Sequence, residues 1–122
     1  MPQNKKQKLG SWGEQLAVDF LLRQGYNILE QNFICAAGEI DIIARHSDAI
    51  SFIEVKTRSG WTGSAERSVG FIKKQHLTRA ARYYCRQWNV NILSTSILFE
   101  QISIYCNRGN KQVQIIKYVL PE

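Results

Sequence analysis

Four charged residues interrupt two short stretches that otherwise read as buried β-strands: Glu39 and Asp41 in residues 38–44 (GEIDIIA), and Glu54 and Lys56 in residues 51–56 (SFIEVK). β-Branched and aromatic residues favour such strands, whereas Asp and Glu are depleted from them. Side chains alternate between the faces of a strand, so Glu39 and Asp41 share one face and Glu54 and Lys56 share one face of the next. Two carboxylates about 4 Å apart repel by roughly 4 kcal/mol at an effective dielectric of 20, and each must also be desolvated. A divalent cation offsets both penalties. Mg²⁺ takes carboxylate and carbonyl oxygens and keeps several waters, which makes Asp41 and Glu54 candidate ligands, with the Val55 carbonyl as a third and Lys56 facing the same water. The alternative for these residues is a structural salt bridge between neighbouring strands.

The remaining pattern supplies the elements that must position these groups. Residues 1–10 are polar and basic, with Lys5, Lys6 and Lys8, and are expected to form a flexible arm ahead of a single domain spanning residues 11–122. Ser11 and Glu14 have the spacing of a capping box, and Leu16, Ala17, Phe20 and Leu21 follow as one helical stripe that Gly25 should end. Residues 26–33 suit a strand or extended link, Ala37 and Gly38 a turn, and residues 39–45 and 49–56 an antiparallel pair across a loop at 46–48. Residues 57–70 (TRSGWTGSAERSVG) have the composition and length of a functional loop. Within it, Trp61 could stack on an unpaired base or fold back onto the core. A helix is predicted over residues 71–88, with Leu77, Ala80, Ala81, Tyr84 and Trp88 on one face and Gln75, Arg79, Arg82 and Arg86 on another. Two further strands, residues 96–106 and 112–120, flank a turn at 107–110. This order predicts an α/β fold, a mixed β-sheet flanked by α-helices.

Composition narrows the function classes. The chain has 122 residues and 44% hydrophobic content, enough for one small globular domain rather than a disordered segment. No apolar run approaches the roughly 20 residues of a membrane span, and the N-terminus lacks a secretory signal, so no membrane partner and a cytoplasmic location are expected. The three cysteines suit buried thiols, and no CxxC pair is present to bind zinc. Trp12 and Trp88 are expected in the core, and the isolated His46 and His76 at the surface or partly packed rather than in catalysis or zinc binding. A net charge of +6 points to an anionic partner, nucleic acid being the commonest for such a domain. Arg58, Arg67, Lys73 and Lys74 lie nearest the acids in sequence, and Arg79, Arg82 and Arg86 form a co-facial stripe. All seven are candidate phosphate contacts without sequence readout, although such a stripe is also the usual solvated face of a helix.

The motifs GEQLA (13–17), GEIDIIA (38–44) and IEVKTR (53–58) are similar to those of the YraN-like bacterial family. That family resembles Holliday-junction resolvases and, by motif, the PD-(D/E)xK nucleases with their restriction-endonuclease-like fold. The resemblance covers about residues 13–104 and implies a Mg²⁺- or Mn²⁺-dependent nuclease acting on DNA, branched DNA included. The superfamily's acid followed by acid-x-Lys falls on Asp41, Glu54 and Lys56, and Ile40 replaces its usual proline. By the same carry-over Glu14 joins the metal site, Gln75 positions water or phosphate, and the protein acts as a homodimer. One departure is the late strand, where relatives carry Arg-Phe-Asp and this chain has Leu98-Phe99-Glu100. A binding module of the same fold without cleavage, and a protein-interaction scaffold, are the alternatives.

Overall fold

The computed structural model describes residues 5–59, 71–107, 109 and 112–120, with side chains over residues 10–58, 75–107, 109 and 112–120. Its elements run α1 (Lys5–Arg23), β1 (Asn27–Cys35), β2 (Gly38–His46), β3 (Ala49–Ser59), α2 (Phe71–Gln87), β4 (Ser96–Cys106) and β5 (Val113–Val119). The five strands form one sheet in the order β1-β2-β3-β4-β5. Neighbours are antiparallel except β3 and β4, which pair in parallel. A parallel pair needs a long crossover, and α2 lies within it. The α/β arrangement with helices flanking a mixed sheet is therefore the one observed.

Each helix covers one face of the sheet. Leu77, Ala80, Ala81 and Tyr84 of α2 pack on Phe33, Ile40, Ile43, Ile50 and Phe52. Ala17, Val18 and Leu21 of α1 pack on Ile42, Ala44, Ile53, Ile102 and Ile104. Both helices stop by the same device. Gly25 takes a left-handed conformation (φ 90°), the Gly25 N–H bonds the Leu22 carbonyl (3.1 Å) and the Tyr26 N–H reaches the Leu21 carbonyl (3.0 Å). At α2 the left-handed residue is Asn89 (φ 52°), with Val90 N–H donating to the Cys85 carbonyl at 2.9 Å. These are Schellman caps, which satisfy carbonyls that would otherwise be orphaned.

The start of α1 differs from expectation. Lys5–Gly10, predicted as part of a mobile arm, are helical, and Ser11 lies inside the helix rather than at its cap. Lys, Gln and Leu are good helix formers, and the single Gly10 costs only about 1 kcal/mol. Residues 1–4 lie outside the described residues. The two tryptophans also depart from the prediction: Trp12 is 39% and Trp88 59% exposed. Trp12 sits beside the half-buried Leu16 at the margin of the apolar stripe, and Trp88 falls beyond the last residue of α2, touching Tyr84 at its edge. Cys85 is buried, Cys35 and Cys106 are half-buried, and all three are free thiols. No described helix is long and apolar enough to cross a membrane.

Glu100 is fully buried on the α1 side of β4. The Ser51 and Tyr26 hydroxyls donate to it, and Lys117 Nζ of β5 approaches at 2.6 Å while lying over the Tyr26 ring. Burial pushes the Lys117 ammonium down, but hydrogen bonding to Glu100 and Tyr26 and the attraction of their charges together outweigh it and raise it. The acid of the Leu98-Phe99-Glu100 segment thus takes its cation from the neighbouring strand. Removing one partner of such a pair strands a buried charge, which costs about 3–5 kcal/mol. Lys117→Met should destabilise the protein by roughly 3 kcal/mol in urea titrations, and adding Glu100→Gln should recover part of that loss. Equal stability of Lys117→Met and the parent would show that the pair contributes nothing.

Candidate active site

The β2–β3 ladder runs from His46↔Ala49 to Ile42↔Ile53 and stops there. Beyond it the Val55 N–H donates to Asp41 Oδ2 at 2.8 Å, a side chain standing where a backbone carbonyl would have been. The alternation of β2 breaks at the same residue, since Ile40 belongs to the core under α2 and Ile42 to the core under α1. In an extended strand a residue's N–H and C=O point to the same neighbour, so the Val55 carbonyl also faces the β2 side past the end of the ladder.

The parted strands border a depression of about 180 Å³ lined by Gly38, Glu39, Asp41, Glu54, His76 and Leu77. The Asp41 carboxyl is pushed up to about 7 from an ordinary 3.8, first by burial and then by the Glu54 charge, with the Val55 N–H opposing both. Glu14 and Glu39 add smaller repulsions. Glu14 is itself raised by burial, then by Glu39 and, more weakly, Glu54, while Asn32 lowers it. Four carboxylates thus share one electrostatic neighbourhood. Alternation along β3 puts the half-buried Lys56 on the Glu54 face.

Two close approaches bring Glu14 to this neighbourhood. Gly13 packs so tightly on β3 that a Cβ there would lie 2.0 Å from Thr57 Oγ1. Asn32, in the left-handed region at φ 53°, directs its amide nitrogen at Glu39 Oε1 (3.1 Å) and Glu14 Oε2 (3.2 Å) in the orientation that satisfies both ends of the amide. Sequence reasoning missed Asn32. An asparagine inside a strand hints at left-handed backbone, but nothing local indicates that it faces two acids from other elements.

His76 is exposed, as expected, and also lines the acidic depression, which nothing in the sequence indicated. Gln75, the expected positioning residue, is exposed on α2 and does not line that depression. Arg58 is exposed near the end of β3, and Arg79, Arg82 and Arg86 are exposed along α2. Arg67, Trp61 and the Lys73 and Lys74 side chains lie outside the described residues. Among the described residues no three Asp, Glu, His or Cys side chains have the spacing to hold one metal ion. Glu14, Asp41 and Glu54 therefore form a loose acidic group rather than a closed cage. Glu100 meets Tyr26, Ser51 and Lys117, so the departure at Leu98-Phe99-Glu100 bears on a separate buried network.

A small mixed-sheet α/β domain with acids gathered where two strands part is the class these features define. The model of the uncharacterised protein family UPF0102 matches residues 13–108, and the chain belongs to that family, the YraN family. Similar relatives are a UPF0102 protein of Caldicellulosiruptor saccharolyticus, 37% identical over 90% of this chain and 92% of its own length, and one of Desulfitobacterium hafniense, 42% identical over 91% and 93%. A UPF0102 protein of Clostridioides difficile is 44% identical over 84% and 88%.

Two outcomes follow from this geometry. Gly13→Ala should cost about 1–3 kcal/mol by overpacking α1 against β3, and Thr57→Ala in the same chain should restore most of it; a stable single variant would place the helix farther away than observed. Between about pH 4 and 7 the folded chain keeps a proton on Asp41 that the unfolded chain has lost, so stability falls as pH rises through that window. In metal-free buffer Asp41→Asn should be more stable than the parent at pH 8 by a few kcal/mol, with the two converging near pH 4. An advantage that is the same at both pH values would contradict burial and repulsion as its cause.

Proposed function

We propose that the protein is a metal-dependent nuclease that hydrolyses phosphodiester bonds in DNA, branched DNA included. The observation that carries this reading is the convergence of Asp41, Glu54, Glu39 and Glu14 on one neighbourhood in which the Asp41 carboxyl is held near 7. Acids gathered closely enough that Glu54, Glu14 and Glu39 all oppose ionisation of Asp41 fit a site that takes a cation. The donor chemistry suits a hard dication: Mg²⁺ is commonly held by one or two carboxylates with waters completing the shell, so a closed cage of three is not required.

Asp41 and Glu54 would hold the ion, the Val55 carbonyl faces the same opening, and Glu14 would act from α1. When bound, the ion would acidify a water and polarise the phosphate. Lys56, on the Glu54 face, would orient the attacking water or offset charge developing on the phosphate. His76 lies at the rim, where it can donate to a phosphate oxygen. Arg58, Arg79, Arg82 and Arg86 would contact flanking phosphates and set register rather than sequence. At a four-way junction, with two scissile phosphates, two copies of the chain would be needed.

A nucleic-acid-binding module that does not cut is the second reading, favoured by the absence of a three-donor metal cluster among the described residues. The two separate on linear, single-stranded and four-way-junction DNA incubated with Mg²⁺ or Mn²⁺. Glu54→Gln and Lys56→Ala should each slow cleavage by about a hundredfold or more. Calorimetric titration of Mg²⁺ should show binding that Asp41→Asn weakens. Cleavage indifferent to both substitutions would overturn the nuclease reading, and tight binding with no cutting under any metal would establish the module.

A further inference from the structure

A second depression, of about 380 Å³, lies beside the β1–β2 turn and is lined by Ala36 and Ala37 of the turn and by Arg79, Arg82, Tyr83 and Arg86 of α2. Among the described residues no carboxylate lines it and none of the three guanidinium groups has an ion-pair partner. Arg79 and Arg86 are separated by roughly 10 Å along the helix axis, about three nucleotide steps of one strand at 3.4 Å each. Tyr83 is 46% exposed, whereas the next residue, Tyr84, is buried edge-on against Phe33 and Phe52. The core uses one tyrosine of the pair, and the other is left in the arginine-lined depression. An exposed ring among guanidinium groups matches an unpaired base with its neighbouring phosphates, because a duplex hides the faces of its bases. The depression is also continuous with the acids along the chain: Ala37 precedes Gly38, and His76 lies one helical turn before Arg79.

We propose that this arginine–tyrosine depression binds an unpaired nucleotide of a DNA strand, with Tyr83 stacking on the base and Arg79, Arg82 and Arg86 holding the adjacent phosphates. A single-stranded segment then lies along α2 next to the acidic opening, and the preferred substrate contains unpaired nucleotides beside the bond to be cut. The inference rests on the reading of the protein as one that acts on DNA, yet it is tested by binding alone.

The test is fluorescence anisotropy of the full chain in EDTA at about 50 mM salt, with labelled oligothymidylate and a blunt duplex of equal length. Tyr83→Leu should weaken oligothymidylate binding about tenfold while leaving duplex binding unchanged, and Tyr83→Phe should bind both like the parent. Arg82→Gln should weaken both and lower the salt dependence by just under one counterion. Unchanged or equal losses for Tyr83→Leu on the two probes would overturn the proposal, while the metal-dependent cleavage test of Glu54 and Lys56 would stand apart from it. Displacement of the strand by thymidine monophosphate at the oligonucleotide's own concentration would assign the depression to a free nucleotide instead. Failure of the parent to bind either probe would overturn both this inference and the DNA reading.

Discussion

The hydrogen bond from the Val55 N–H to Asp41 replaces the next rung of the β2–β3 ladder. A buried backbone donor left without a partner costs about 1–3 kcal/mol, so once the strands part some acceptor must take this one. Asp41 does so, and its carboxylate is thereby fixed in the opening with Glu54 across from it. A carbonyl acceptor would have continued the sheet; a carboxylate ends it and leaves a charge. The position of the acids is therefore a consequence of how the sheet's own hydrogen bonding is completed.

The protein buries two acids from different elements in opposite ways. Glu100 meets two hydroxyls and the Lys117 ammonium, so its charge is balanced inside the fold. Asp41 receives one backbone donor and faces further acids, so its ionisation is opposed. The first arrangement is what structural burial of a carboxylate requires. The second resembles the perturbed groups that gather at functional sites, where local stability is lowered and the surrounding fold must supply the difference. Here that support comes from the two cores on either face of the sheet, with Gly13 allowing α1 close enough to bring Glu14 to the group.

The two helices approach the opening from opposite faces of the sheet and carry different chemistry. α1 contributes an acid, Glu14, while α2 contributes His76 and then three exposed arginines with Tyr83 among them. The acids and the arginines thus line two different depressions along α2. The β1–β2 turn borders both depressions through Ala36, Ala37 and Gly38.

Much of the fold was legible locally. The β-branched runs gave β2 and β4 nearly to the residue and β3 without its last three residues, 57–59, which were read as loop; Gly25 marked the end of α1, and the apolar stripe of α2 named its buried face. Asp41 and Glu54 were visible because acids inside such runs violate the pattern of their surroundings. The start of α1 was misplaced because Ser11 and Glu14 have cap spacing wherever they occur, and only the turns before them show that the helix has already begun. Asn32, His76 and the Gly13–Thr57 approach could not be read from the chain, since each depends on distances between elements remote in sequence. The sequence by itself determined which residues carry charge into the sheet, because that is a matter of residue type and period. Only the tertiary structure decided that β2 and β3 part at Asp41, that Lys117 neutralises Glu100 and that Tyr83 is left outside the core, because these follow from packing and hydrogen-bond completion across several elements at once.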